Sequence, residues 1–194
     1  MTCDNLAKIK LFLTDVDGCL TDGGMFYSAS GDELKRFCVY DGMGMVLLQK
    51  AGIPCGILTS ETTDIVLHRA RKLQLDFLYM GVGRQKDKTP VVAYHPALGE
   101  AQSLPFMSKT DACRRICSES GIGLDEVCYI GDDINDAELL QAAGYAACPG
   151  TALESIKAIP GIHILQRGGG AGAIRELCDE ILQARQNAMC QTQP

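Results

Sequence analysis

Short apolar runs recur along this chain and alternate with longer segments whose apolar residues are spaced as in a helix. The apolar runs are residues 8–14, 53–58, 75–79, 126–130 and 145–148. The segments with helical spacing are residues 41–52, 62–74, 108–121, 136–144 and 171–186. Because strands joined by crossover helices give this alternation, the sequence predicts an α/β fold, a Rossmann-like parallel sheet with helices on both faces.

Two regions interrupt the alternation. Residues 23–40 are predicted to form a β-hairpin, because two extended runs flank a turn at "ASGD". Residues 83–108 contain three prolines and show no clear period, so we predict a long loop, either a plain surface loop or an element that determines specificity. A C-terminal helix and tail are expected over residues 171–194.

Composition limits the class of protein. With 194 residues, 46% of them hydrophobic, the chain can bury one sizeable core, so we expect a single domain over residues 1–194. A net charge of −6 without a basic cluster argues against nucleic acid as a partner. No apolar run reaches the roughly 18 residues that span a bilayer, and no signal-peptide pattern is present. We therefore expect no membrane partner and a cytoplasmic location, with the ten cysteines reduced.

Carboxylates and hydroxyls follow three of the predicted strands. They are Asp15 and Asp17 after the first run, Thr59 and Ser60 after the second, and Asp132, Asp133 and Asp136 after the fourth. Since ligands bind beyond the carboxyl ends of the strands in such sheets, we expect these side chains to meet at one edge. Clustered carboxylates repel one another unless a cation is present, and hard oxygen ligands suit Mg²⁺.

This set of groups fits phosphoryl transfer, in which fixed positive charge stabilises the transferring oxygens. Asp15 would be a nucleophile that forms an aspartyl-phosphate, and Asp17 would protonate the leaving alkoxide and then deprotonate the attacking water. An Asp-x-Asp pair alone is more often a solvated turn or a helix cap. The apolar strand before this pair, and the G-D-D-x-x-D motif after another strand, favour the catalytic interpretation.

The stretches "LFLTDVDG", "ILTS" and "YIGDDINDAELL" resemble motifs one, two and four of the haloacid dehalogenase superfamily. The resemblance extends through "DVDGCLTDGGMFY", "GDELKRFCVYDGMG", "GILTSETTDIV" and "GGGAGAIRE" to the sugar-acid phosphatases of that superfamily. Those enzymes act on 3-deoxy-octulosonate (KDO) 8-phosphate or on the nine-carbon keto-deoxy acid (KDN) 9-phosphate. The short members of the family have no separate cap domain.

The resemblance implies a role for each matching residue. Asp15 would be the nucleophile and a Mg²⁺ ligand, and Asp17 the acid/base, with its backbone carbonyl also on the metal. Asp132 would be the third protein ligand of the metal. Thr59 would hydrogen-bond the transferring phosphoryl group. The remaining acidic residues of the fourth motif, Asp133 and Asp136, would hold the metal shell and the catalytic lysine.

Three lysines are candidates for motif three: Lys86, Lys88 and Lys109. In the family this lysine begins the helix that leads into the fourth strand. We choose Lys109 because it starts such a helix, 22 residues before Gly131, which is the family's usual separation. Residues 83–108 then become an insertion that the usual family members lack.

The substrate-binding residues are predicted from details of the resemblance. Octulosonate phosphatases tend to have "TGR" after motif two and an arginine in a C-terminal "GGRG", whereas this chain has "TSE" and Ala171. The nine-carbon enzymes resemble it more, with a glutamate where Glu61 stands and a lysine where Lys72 stands. Ser60 and Asp41 are further candidates, although Asp41 can instead cap the helix that follows it.

We therefore predict a Mg²⁺-dependent phosphatase of a keto-deoxy sugar-acid phosphate, with the nine-carbon 9-phosphate favoured and octulosonate 8-phosphate as the alternative. The resemblance to the family's hairpin also implies a homotetramer, in which the hairpin of one subunit covers the active site of a neighbouring subunit. Two rivals remain open. One is a phosphatase of other small phosphate esters. The other is a non-catalytic assembly module, against which the presence of the full set of motif residues argues.

Overall fold

The computed structural model describes residues 3–31, 33–83, 90–94 and 99–191. Its strands are β1 (Leu11–Thr14), β2 (Phe26–Tyr27), β3 (Glu33–Leu34), β4 (Cys55–Thr59), β5 (Phe77–Met80), β6 (Val91–Tyr94), β7 (Ala101–Leu104), β8 (Val127–Ile130), β9 (Tyr145–Cys148) and β10 (His163–Ile164). Its helices are α1 (Cys3–Ala7), α2 (Val39–Lys50), α3 (Asp64–Leu73), α4 (Lys109–Ser120), α5 (Ala137–Ala142), α6 (Glu154–Lys157) and α7 (Ala173–Gln191).

Eight strands form one sheet in the order β10-β9-β8-β1-β4-β5-β6-β7. The first six of this order run parallel, and β6 and β7 join antiparallel. All four residues of β1 are buried, as expected for the centre of a sheet that is covered on both faces. The predicted α/β class is confirmed, and no separate cap domain is evident among the described residues.

Side chains of β1 alternate between two hydrophobic cores. Phe12 packs in the core that includes residues of α2, α3 and α7, whereas Leu11 and Leu13 pack in the core that includes residues of α4 and α5. Each fully buried side chain of this size contributes about 1.5–3 kcal/mol to folding. This two-sided burial fixes the carboxyl end of β1 firmly at the sheet edge. In the part of the chain that the structure describes, no helix has the length and apolar character needed to cross a membrane.

Local signals place most of the helices close to their predicted bounds. The predicted segment 108–121 contains α4, where the hydroxyl of Ser108 accepts a hydrogen bond from the Asp111 amide at 3.0 Å. Gly121 ends α4 in the left-handed conformation with φ 66°, which glycine adopts without strain. Lys109 is thereby the first residue of a well-capped helix.

The hairpin prediction for residues 23–40 is correct in kind but too long. Only Phe26–Tyr27 and Glu33–Leu34 pair as strands. The predicted second strand is wrong beyond Leu34, because Val39 and Tyr40 already belong to α2. A hairpin with only two paired residues in each strand is not stable on its own, so this hairpin needs further contacts.

The predicted long loop at residues 83–108 is wrong for the part that is described. β6 and β7 form an antiparallel hairpin that extends the sheet beyond β5, with Val91 opposite Leu104 and Tyr94 opposite Ala101. The prolines at 90 and 105 flank these strands and do not interrupt them. Two stretches of the insertion, 84–89 and 95–98, lie outside the described residues, and so do the alternative lysines Lys86 and Lys88.

Candidate active site

The carboxyl ends of β1, β4 and β8 meet at one edge of the sheet, next to a cavity of about 280 Å³. The predicted residues that line it are Asp15, Asp17, Thr59, Ser60, Glu61, Asp132 and Asp133, and Gly18, Gly23, Met25 and Asn135 complete the wall. A larger cavity, of about 610 Å³, lies between α7 and β10 and contains none of the predicted residues. The smaller cavity is therefore the candidate active site.

Asp15 follows β1 directly and is 5% exposed. Its backbone amide donates to the Ile130 carbonyl at 3.0 Å, which ties it to the end of β8. One carboxylate oxygen accepts from the Val16 amide at 2.7 Å, and the other lies 2.8 Å from the Lys109 ammonium. Burial raises the pKa of Asp15, and the Lys109 cation opposes that rise. Asp15 is therefore held in one orientation at the cavity wall.

Lys109 is 3% exposed and bridges two carboxylates beneath the cavity. Its Nζ lies 2.8 Å from Asp15 and 2.6 Å from Asp136. Burial lowers the pKa of Lys109, but the two carboxylates outweigh it, so the pKa lies above its ordinary value and the side chain remains a cation. The structure thus brings Lys109, chosen from the three candidate lysines, to the predicted nucleophile.

Asp136 organises the loop after β8. It is fully buried, and one of its oxygens accepts from the backbone amides of Asp132 at 3.0 Å and Asp133 at 3.3 Å. Its other oxygen accepts from Lys109 and from the hydroxyl of Tyr129 on β8. The sequence analysis did not predict a role for Tyr129. Its position could have indicated one, because a side chain with a polar tip in a buried strand needs a hydrogen-bond partner and Tyr129 lies two positions before Gly131.

The carboxylates can hold a divalent cation. Oxygens of Asp15, Asp132 and Asp136 lie within 4.8 Å of one another. Burial, followed by repulsion from Asp15 and Asp136, raises the pKa of Asp132 to about 7. A cation among these oxygens would relieve that repulsion, and an all-oxygen donor set suits a hard metal ion. Because Asp136 already accepts four hydrogen bonds, Asp15 and Asp132 are the side chains that remain to ligate it.

The absence of a side chain at Gly18 leaves space for the carboxylate of Asp132. Its φ is +83°, a conformation that side chains rarely adopt. A Cβ built on Gly18 would overlap the carboxylate of Asp132, well inside van der Waals contact. The glycine after the Asp-x-Asp pair is therefore required both by its backbone and by the approach of the opposite loop.

Asp17 is paired with a lysine that the sequence analysis did not single out. Lys35 Nζ lies 2.7 Å from both oxygens of Asp17, and Thr21 donates to Asp17 at 3.3 Å. Glu33 lies 3.4 Å from the same ammonium. Burial lowers the pKa of Lys35, but Asp17 and Glu33 outweigh it and the pKa is raised. The available signal was the "GDELKRF" stretch, where this lysine stands close to acidic residues.

The residues at the carboxyl end of β4 form the opposite wall of the cavity. Thr59 is 1% exposed, and its hydroxyl accepts from the Glu61 amide at 3.1 Å. The hydroxyl of Ser60 donates to the Val82 carbonyl at 2.9 Å. Asn135 donates to Ser60 at 3.4 Å and so joins this wall to the loop after β8. Thr59, Ser60 and Glu61 thus line the cavity on the side opposite the Asp15 loop.

Two predicted substrate-binding residues do not line the cavity. Lys72 lies exposed in the last turn of α3 and is absent from the cavity wall. Asp41 is fully buried, and its carboxylate accepts from the amides of Gly172 at 3.2 Å and Arg175 at 2.9 Å. Asp41 therefore caps the start of α7, a helix far along the chain, and not the helix in which it lies.

Comparisons with known proteins agree with this geometry. A family model described as haloacid dehalogenase-like hydrolase matches residues 103–163, which include Lys109 and the loop after β8. The 3-deoxy-D-manno-octulosonate 8-phosphate phosphatase of Yersinia pestis is 34% identical over 180 residues, 92% of this chain and 82% of that one. Its counterpart from Haemophilus influenzae is 31% identical over 180 residues, 93% of this chain and 86% of that one.

Solved structures give the same result. The crystal structure of the octulosonate 8-phosphate phosphatase from Moraxella catarrhalis, in complex with a magnesium ion, a phosphate ion and a KDO molecule, matches with a TM-score of 0.78. It is 30% identical, and the match covers 98% of this chain and 97% of that one. The chain belongs to the haloacid dehalogenase-like hydrolases. Within that family it is a phosphoric monoester hydrolase.

Proposed function

We propose that this protein is a Mg²⁺-dependent phosphatase that hydrolyses the terminal phosphate of a keto-deoxy sugar acid through an aspartyl-phosphate intermediate. The observation that carries the proposal is the arrangement of the buried Asp15 and Lys109 beside the half-buried Asp132 at the cavity. The names of the relatives support a sugar-acid phosphate as the substrate class. The full set of motif residues at one cavity argues against a non-catalytic module.

The chemistry runs in two displacements. A carboxylate oxygen of Asp15 attacks phosphorus, the ester P–O bond breaks, and Asp17 donates a proton to the leaving alkoxide. Asp17 then takes a proton from a water molecule that attacks the aspartyl-phosphate, which releases phosphate and restores Asp15. Lys109 keeps a positive charge beside the transferring group, and Thr59 donates a hydrogen bond to it.

Asp15 and Asp132, with the backbone carbonyl of Asp17, would hold the Mg²⁺. When bound there it supplies positive charge that offsets the negative charge of the phosphate and of the cluster. The raised pKa of Asp132 fits this role, because a carboxylate in a repulsive cluster gains most from a cation.

For the particular substrate, we propose the nine-carbon keto-deoxy acid 9-phosphate. Glu61 lines the cavity where a polar sugar terminus would lie, and Ala171 stands where octulosonate enzymes carry an arginine. Octulosonate 8-phosphate is the second candidate, and the names of the relatives favour it. Lys72 would act in this scheme only at a boundary between subunits.

The test is kcat/KM with Mg²⁺ for both sugar-acid phosphates and a panel of simple phosphate esters. We expect the sugar-acid phosphates to exceed the simple esters, and the nine-carbon compound to exceed the eight-carbon one. Equal kcat/KM across the panel would contradict the sugar-acid assignment. A higher value for octulosonate 8-phosphate would leave the class intact and replace the nine-carbon proposal.

Variants test the residues themselves. Asp15→Asn should abolish turnover, whereas Asp125→Asn, at the other end of β8, should not change it. Lys109→Ala should lower kcat/KM about 10²–10³-fold, the typical cost of losing one electrostatic stabiliser. If Lys86→Ala gives that loss and Lys109→Ala does not, the assignment of the motif-three lysine is wrong.

For the quaternary structure we propose a homotetramer in which the β2–β3 hairpin covers a neighbouring active site. Large apolar side chains of the hairpin and the start of α2 are exposed in the single chain: Phe26 by 63%, Tyr27 by 64%, Leu34 by 67%, Val39 by 76% and Tyr40 by 67%. An exposed apolar patch of this kind is typical of an interface. Sedimentation equilibrium would test the proposal, and a monomer at micromolar concentration would contradict it.

A further inference from the structure

The ion pair between Lys35 and Asp17 joins the hairpin to the catalytic loop. The two residues are 18 positions apart, and Lys35 Nζ is equidistant, at 2.7 Å, from both oxygens of Asp17. None of the Lys35 side chain is exposed, whereas 26% of the Asp17 side chain is. Removing a lysine from water costs free energy, so a buried ammonium persists only where anions surround it. Asp17 and Glu33 supply those anions.

The two carboxylates that the proposed reaction uses have separate lysines. Lys109 lies against Asp15, and Lys35 lies against Asp17. Each ammonium also has a second carboxylate partner: Asp136 for Lys109 and Glu33 for Lys35. These second partners hold each lysine beside its own catalytic carboxylate. The nucleophile and the acid/base are thereby oriented independently of each other.

Lys35 acts through Asp17 and not on the substrate. Asp17 lines the cavity, but Lys35 does not. Asp17 sits next to Gly18, whose φ of +83° makes a sharp turn. Among the residues that the structure describes, the Asp17 side chain has only the weak 3.3 Å contact from Thr21 besides Lys35. Without Lys35, nothing else among the described residues fixes both carboxylate oxygens.

We propose that Lys35 is a positioning residue that holds one oxygen of the Asp17 carboxyl group, so that the other oxygen can carry the proton that passes to the leaving oxygen. This inference rests on the proposed function, because it assumes that Asp17 is the acid/base. It assigns the hairpin a role inside its own subunit, in addition to any cover that it gives to a neighbour.

The experiment compares leaving groups. An alkyl ester, octulosonate 8-phosphate, needs a proton on its leaving oxygen, whereas p-nitrophenyl phosphate has a leaving group that departs without one. For Lys35→Met we expect kcat/KM to fall about 10²-fold or more for the alkyl ester, within the usual range for general acid catalysis, and less than about 10-fold for the aryl ester. The kcat/KM value reports only steps through release of the alcohol, so slow hydrolysis of the aspartyl-phosphate does not obscure it.

A matched control lies in the same hairpin. Arg36 is the next residue, pairs with Asp22 at 2.8 Å and is exposed, so Arg36→Met removes an ion pair that does not reach the cavity. It should leave both kcat/KM values within about twofold. Lys35→Arg keeps the charge but has a different donor geometry, so it should recover only part of the alkyl-ester activity that Lys35→Met loses. Should Lys35→Met fail to fold, Lys35→Gln carries the same comparison.

Double variants complete the test. Asp17→Asn should show the same dependence on the leaving group, and Lys35→Met added to Asp17→Asn should cause little further loss, since one acts through the other. Equal losses on both esters, or full additivity, would overturn the positioning role. If Asp15→Asn keeps full turnover, the proposed function fails. If Asp15 is essential but Lys35→Met behaves like Arg36→Met, only this inference fails.

Discussion

Replacing Asp132 by asparagine should stabilise the metal-free protein at alkaline pH. The pKa of this carboxyl rises from 3.8 to about 7 in the folded chain, because it is half-buried and faces Asp15 and Asp136. Between these two values the folded chain holds a proton that the unfolded chain has released. Stability therefore falls as pH rises from about 4 to about 7, and the full cost is present above that window.

The magnitude follows from the size of the pKa difference. Each pKa unit corresponds to about 1.4 kcal/mol, so the full difference would cost about 4 kcal/mol at pH 8. Asp132 is partly open to the cavity, and solvent screening reduces that figure to about 2 kcal/mol. For a chain of 194 residues this equals an increase in Tm of about 4–8 °C for Asp132→Asn at pH 8. At pH 4 the two proteins should differ little.

The assay is thermal denaturation of the EDTA-treated protein from pH 4 to pH 8, followed by circular dichroism. Glu138→Gln is the matched control, because it removes an exposed carboxylate at the start of α5 that is not among the groups that raise the pKa of Asp132, so it should leave Tm unchanged. Mg²⁺ should raise the Tm of the parent protein more at pH 8 than at pH 5.5, and Asp132→Asn should lose most of that response. A lower Tm for metal-free Asp132→Asn at pH 8 would refute the argument from repulsion.

Three further outcomes follow from the structure. Gly18→Ala should lower kcat/KM about 10²-fold by displacing Asp132, whereas Gly52→Ala, which has a similar positive φ of +78° but no neighbour within 4 Å, should lower stability and not activity. Tyr129→Phe removes one donor to a buried carboxylate and should cost about 1–3 kcal/mol in urea denaturation, and an unchanged midpoint would contradict it. Phe26→Ser should shift the proposed tetramer toward smaller species in sedimentation experiments, and an unchanged mass would argue against the hairpin interface.

The catalytic edge could be predicted from the sequence because its residues follow strands directly. An apolar run that stops at Asp15 fixes that side chain at the sheet edge, and topology then brings Asp132 to the same place. Lys109 could be chosen because Ser108 and Gly121 mark the ends of its helix. These are local patterns, and the order of the strands in the parallel sheet then determines where each of these residues lies.

Long-range contacts escaped prediction for a physical reason. Asp41 is on the first turn of α2, where a local cap was a reasonable expectation, but its partners Gly172 and Arg175 are more than 130 residues away. The pairing of Lys35 with Asp17 likewise depends on how the hairpin folds back over the loop after β1. Periodicity and spacing carry no information on such contacts.

The insertion that contains β6 and β7 begins and ends at neighbouring positions in the fold. The amide of Gly83 donates to the carbonyl of Met107 at 3.0 Å, so the two ends of the insertion are one hydrogen bond apart. A segment with adjoining ends can grow, shrink or be exchanged for another without moving the residues on either side. The sheet edge beyond β5 is thus a site where this architecture can vary while Lys109, two residues past the junction, keeps its place beside the nucleophile.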